Sequence, residues 1–217
     1  MRALNPLEFK QLLDSDDSII VLDSRHADEF ADGHVPGALF IPFNEHFDQW
    51  LTTLIPAGRG ILLVCPDRMA APLAERIERC GRPVPQGWLG GGMAAWVADH
   101  LEFHLVIRVE ADELAMDLPY DELLLVVDVR TEAEFAEGHV RDAMNIPMHS
   151  ISDAWTLSLI EEEQHVYVCG PSDEKSIMAA SVILHQGYSI LRTVDGGWEA
   201  IRSQKGIPIE KETDKLN

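Results

Sequence analysis

The sequence predicts an α/β fold made twice. Two tandem domains, residues 1–105 and 106–217, each carry a central, mainly parallel sheet flanked by helices. The first observation behind this is an internal repeat. Asp23-Ser24-Arg25 is matched by Asp128-Val129-Arg130, and Glu29-Phe30-Ala31-Asp32-Gly33-His34-Val35 by Glu134-Phe135-Ala136-Glu137-Gly138-His139-Val140. Ile41-Pro42 and Gly91-Gly92 return as Ile146-Pro147 and Gly196-Gly197, always at the same offset of 105 (128 − 23). A period of this size is a duplicated domain rather than a solenoid repeat. The second observation is that the strand-like runs, such as Ile61 to Val64, are continuously apolar, which suits a parallel sheet covered on both faces. The third is that such runs alternate with helical segments. The boundary falls near His104 to Arg108.

Each element has a local cause. Asn5, Pro6 and Glu8 supply a cap, a first helical proline and the acidic partner of a capping box, so a helix starts there. Ile19 to Leu22 is a strand. A short helix around Ala27 to Ala31 stops at Gly33, Ala38 to Ile41 is a second strand, and Phe47 to Leu54 a helix. The strand Ile61 to Val64 ends at Cys65. Ala70 to Cys80 has helical spacing and stops at Gly81, followed by a strand at Trp88-Leu89 and a helix from Met93 to Val97. The second copy repeats the order, with Thr131 and Glu134 forming a capping box and Gly138 a stop.

Composition narrows the function. The chain of 217 residues is 46% hydrophobic, enough for packed cores. Its formal charge of −20 argues against nucleic acid or an anionic membrane as partner, and against a bulky polyanionic substrate. Three widely spaced cysteines, Cys65, Cys80 and Cys169, fit reduced thiols and a cytoplasmic location. No charged-then-apolar leader and no membrane-length apolar run is seen.

In parallel α/β sheets, functional loops lie beyond the carboxyl ends of the strands. The apolar strand Val166-Tyr167-Val168 leads to Cys169, then to the turn Gly170-Pro171-Ser172-Asp173-Glu174-Lys175-Ser176 and a helical run from Ile177 to His185. Free amides at a helix start, with Lys175, would lower the Cys169 pKa from about 8.5 and cradle an anion. Cys169 is therefore the candidate nucleophile, and Gly170 to Ser176 the candidate substrate contacts. The bland alternatives are a buried strand-end cysteine, a solvated lysine, and Ser176 as a helix cap. Cys65 is placed at the equivalent position of the first copy and is a second candidate nucleophile, although Pro66-Asp67-Arg68-Met69 makes a poorer cradle. Cys80 reads as core. His34 and His139 lack a Cys/His cluster, so no metal site is expected, and hydrogen bonds to Asp23 and Asp128 are. Arg25 and Arg130 read as ion-pair partners of those aspartates, and Trp198 as packing.

These motifs together resemble the rhodanese (thiosulfate sulfurtransferase) family. Asp128-x-Arg130, Glu134-Phe135-x-x-Gly138-His139-Val140, Asn145-Ile146-Pro147, the strand into Cys169 and Gly196-Gly197-Trp198 carry the resemblance. The first copy carries the same set, with Met93 where the second has Trp198. The resemblance implies a sulfane sulfur passed through a cysteine persulfide, from a small sulfur donor or a protein persulfide partner to a thiol or cyanide, with no cofactor. The commonest family loop is Cys, four residues, then Arg. Ala70 stands at that arginine position in the first copy, so its loop reads as degenerate. Counting from Cys169 gives Cys-x5-Lys175, which resembles the Cys-x5-Arg phosphatase and arsenate-reductase branch. That enzyme class and a non-catalytic binding module are the competing expectations.

Overall fold

The computed structural model describes residues 1–188 and 191–212, and the chain divides into two compact units, Met1–Leu105 and Val106–Asn217. Residues 213–217, the end of the expected second domain, lie outside the described residues.

Unit 1 runs β1 (Arg2–Leu4), α1 (Pro6–Ser15), β2 (Ile19–Asp23), α2 (Ala27–Asp32), β3 (Leu39–Phe40), α3 (Phe47–Leu54) and β4 (Gly60–Val64). A 3-10 turn at Asp67–Met69 leads into α4 (Ala70–Arg79), β5 (Gly87–Leu89) and α5 (Gly92–Ala98). Unit 2 runs β6 (Ile107–Val109), α6 (Ala111–Asp117), β7 (Leu124–Asp128), α7 (Glu132–Glu137), β8 (His139–Val140), β9 (Met144–Asn145) and α8 (Ala154–Leu157). Then come β10 (His165–Cys169), α9 (Asp173–His185), β11 (Leu191–Val194), α10 (Gly197–Ser203) and β12 (Ile209–Glu210).

Both units hold a five-stranded sheet whose paired strands are all parallel. The orders are β1-β5-β4-β2-β3 and β6-β11-β10-β7-β9, the same topology twice. The apolar runs explain it. Every residue of β2 is buried, as are Ile61 to Val64 of β4 and Val166 to Cys169 of β10, so the central strands are covered on both faces. The expected helix starts are present: Asn5 with Glu8 and Thr131 with Glu134 form complete capping boxes. Among the described residues no helix is long and apolar enough to cross a membrane.

The histidines depart from expectation. His34 Nδ1 pairs with the Phe30 carbonyl at 3.0 Å and His139 Nδ1 with that of Phe135 at 2.8 Å, not with Asp23 or Asp128. Each ring stacks on that phenylalanine, in the preceding helix, at centroid distances of 4.0 and 3.8 Å. The histidine thus adds a second partner to a carbonyl at the end of a short helix that already accepts the Gly33 or Gly138 N–H. Burial pushes the His34 pKa down to about 4. A base whose pKa is depressed on folding leaves the unfolded chain binding the extra proton, so stability falls as pH drops from about 6.5 towards 4. Unit 1 should lose up to about 3 kcal/mol across that window, and His34→Gln should flatten the loss. Urea melts of both proteins between pH 7 and pH 4 check this; parallel profiles would contradict it.

Candidate active site

Strand register decides which residues of the two copies correspond. Asp23 of β2 sits opposite Val64 of β4, and Asp128 of β7 opposite Cys169 of β10. The Ser24 N–H donates to the Val64 carbonyl at 2.9 Å, as the Val129 N–H does to the Cys169 carbonyl at 2.8 Å. Cys169 therefore corresponds to Val64, and Cys65 to Gly170. The expectation that Cys65 and Cys169 are equivalent is corrected: Gly170 stands where the first copy has its loop cysteine.

The consequence for Cys169 is large. It is the last residue of the strand, and side chains on a strand alternate between faces. Cys169 shares a face with Tyr167 and packs with Val126, Leu114, Val194 and Ile201 in the core of unit 2. None of it is exposed. Burial, and then the carboxylate of Asp128, raise its pKa well above the ordinary thiol value, while Arg130 only partly offsets this. The sequence expectation of a lowered pKa is thus reversed.

The turn of residues 170–176 is also not the open ring expected. Ser172 is the N-cap of α9, so Asp173, Glu174, Lys175 and Ser176 form its first turn. The Lys175 N–H donates to the Ser172 hydroxyl at 3.4 Å and the Ser176 N–H to the Ser172 carbonyl at 3.0 Å. Those amides close the helix start instead of converging on the Cys169 sulfur. The cap is Ser172, not Ser176, which is buried and donates its hydroxyl to the Ser172 carbonyl. The Asp173 carboxylate accepts from the Gly196 N–H at 2.7 Å. Pro171 and Asp173 are exposed and Glu174 is half-buried. Half-burial lowers the Lys175 pKa. Counted from Gly170, Lys175 comes fifth, the spacing of the common rhodanese-type loop with Gly for Cys and Lys for Arg. The apparent Cys-x5-Lys loop, and with it the phosphatase-like expectation, was a product of counting from the wrong residue.

Gly197 fixes this arrangement. Its φ is +54°, and a Cβ there would stand 2.4 Å from the Gly170 carbonyl oxygen. That carbonyl accepts the Trp198 N–H at 2.9 Å. Gly197→Ala should destabilise unit 2 by at least about 2 kcal/mol, through left-handed strain and the overlap with backbone. Urea denaturation checks it; an unchanged midpoint would contradict the close approach.

Behind each loop lies a buried ion pair. Arg25 and Arg130 reach back from the strand end to clasp Asp23 and Asp128 with both carboxylate oxygens. Each also donates to a carbonyl beyond the next helix, Gly33 or Gly138, at 2.7 Å. The Arg130 guanidinium lies 3.9 Å from the centre of the Trp198 ring, so Trp198 packs as expected.

In unit 1 a cavity lies beyond the carboxyl end of β4. Its volume is about 430 Å³, and it is lined by Cys65 and Asp67 from the loop, Arg25 and Glu29 from the β2–α2 segment, and Met93 and Ala94 from α5. Asp67 is held at the rim by the Trp88 indole N–H, 2.8 Å away. Cys65 is only 3% exposed. Burial, then Asp23 and Asp67, push its pKa up to about 12. Its alkylation by iodoacetamide should therefore rise about tenfold per pH unit and reach no plateau below pH 10. Peptide-resolved mass spectrometry checks this; a plateau near pH 8 would contradict it. Cys80 is partly exposed at the end of α4, not core as expected, and burial raises its pKa too. Sequence reasoning missed Arg25, Glu29 and Met93 as cavity residues. The offset of 105 applied to Cys65 would have pointed to Gly170.

Residues 5–99 and 110–204 each match the family model described as Rhodanese-like domain. A sulfurtransferase of Allochromatium vinosum is 32% identical over 105 residues, 48% of this chain and 95% of that protein. Thiosulfate sulfurtransferase GlpE of Pseudomonas putida is 32% identical over 91 residues, 42% of this chain and 81% of that protein. A solved rhodanese-like domain protein of Staphylococcus aureus aligns with a TM-score of 0.43 at 26% identity, over 49% of this chain and 100% of that one.

Proposed function

We propose, because this chain belongs to the rhodanese-like domain family in each of its halves, that it is a sulfurtransferase carrying a sulfane sulfur as a persulfide on Cys65. The observation that carries this reading is position. Cys65 is the first loop residue beyond β4 and lines the cavity past that strand's carboxyl end, whereas Cys169 is sealed in a core. Unit 2, with Gly170 at the loop position, then serves as a scaffold without a nucleophile.

The steps follow from thiol chemistry. Cys65 sulfur attacks the outer sulfur of the donor, the donor's S–S bond breaks, and its electron pair leaves with the donor residue. The new outer sulfur stands about 2 Å beyond the buried Sγ. A thiol or cyanide then attacks that sulfur and regenerates Cys65. These steps require neither metal nor organic cofactor. The high pKa makes the resting thiol slow, so the first step should limit turnover at neutral pH and quicken as pH rises.

Initial rates with varied donor and acceptor test the reading. Parallel double-reciprocal lines, the mark of a covalent intermediate released and reformed, are expected. Intersecting lines, or no transfer above buffer, would overturn it.

A further inference from the structure

We propose, taking Cys65 as the sulfur carrier, that its cavity is built for a persulfide donor bearing positive charge rather than for a sulfur oxyanion. The charged side chains lining the cavity are Arg25, Glu29 and Asp67. Arg25 is spoken for: its guanidinium clasps buried Asp23 and donates to the Gly33 carbonyl. Its charge is neutralised in place, which leaves the two carboxylates to set the sign of the cavity. Glu29 caps the His26 N–H at 3.2 Å and Asp67 is fixed by Trp88, so both are anchored beside the opening.

Part of the loop backbone is already committed internally. Pro66 has no N–H. The Met69 N–H donates to the Pro66 carbonyl at 2.7 Å, and the Ala70 N–H to the Asp67 carbonyl. Position 70, five after the cysteine, is a buried alanine. Arg68 is exposed and does not line the cavity. A dianion such as thiosulfate thus meets two carboxylates without a free guanidinium; the backbone donors on the lining are those at the start of α5. An organic persulfide flanked by ammonium or guanidinium groups meets complementary charge instead, and the formal charge of −20 on the whole chain steers it the same way.

The step balances without an added oxidant or reductant. Cys65–SH and R–S–SH give Cys65–S–SH and R–SH. The S–S bond of the donor breaks, a new one forms at Cys65, and the proton lost by Cys65 is returned to the leaving thiolate.

Four donors separate the possibilities: the persulfides of a lysine-flanked and of a glutamate-flanked cysteine peptide, cysteamine persulfide, and thiosulfate. The readout is the rate at which Cys65 gains one sulfur, by mass spectrometry. At low salt the lysine peptide should load about tenfold faster than the glutamate peptide, with the ratio shrinking towards one near about 1 M salt. Asp67→Asn should narrow that ratio. Both cationic donors should outrun thiosulfate, and their own ratio tells a small amine from a basic peptide as the source. Equal or inverted rates for the two peptides, or thiosulfate as the fastest donor, would overturn the charge rule while leaving Cys65 as carrier. Loading of Cys65 by none of the four would remove the carrier reading itself.

Discussion

Replacing Cys65 with serine should abolish sulfur transfer, while replacing Cys169 with alanine should leave it within about twofold of the parent. The contrast follows from where each sulfur lies. Cys65 begins the loop and borders the cavity; a hydroxyl there cannot hold a sulfane sulfur. Cys169 faces the core beside Tyr167, with no exposed surface, so a donor cannot reach it without unfolding β10. Alanine at 169 removes one sulfur atom from a packed site and should cost about 1 kcal/mol, too little to unfold the unit. Steady-state transfer to cyanide, with circular dichroism to confirm folding, measures both. Loss of activity in Cys169→Ala with the fold intact would reverse the assignment.

Arg130→Ala should cost unit 2 about 3–5 kcal/mol, the usual penalty for stranding a buried charge. Asp128 is 1% and Arg130 4% exposed, so the remaining carboxylate would have neither its partner nor water. The same change removes the donors to the Gly138 and Glu134 carbonyls and the cation over Trp198. Arg130→Lys should recover little of this, because an ammonium cannot span both carboxylate oxygens and stack on an indole. Guanidinium denaturation followed by tryptophan fluorescence resolves the loss, with the Trp198 signal reporting locally. A midpoint unchanged by Arg130→Ala would mean that the pair contributes nothing to the fold.

Much of the fold was legible in the sequence because its causes are local. Continuous apolar strands, two capping boxes and the aspartate–arginine spacing each state their own geometry, and the constant offset states the duplication. The site was less legible, for a physical reason. A strand places successive side chains on opposite faces, so a one-residue error in register turns a core residue into a loop residue. Anchoring on the cysteines aligned Cys65 with Cys169; the backbone pairs of Asp23 with Val64 and of Asp128 with Cys169 show the shift. That single position also made the second loop look one residue too long. The roles of His34 and His139 depend on carbonyls four residues back, which residue type alone does not disclose.

The central claim is that chemistry belongs to the first copy and packing to the second. The most direct measurement is to load the intact protein with a persulfide donor, digest it without reduction, and locate the added sulfur. The account predicts a gain of about 32 Da on the peptide containing Cys65 and none on the peptide containing Cys169. Sulfur found on Cys169, with Cys65 unmodified, would contradict it.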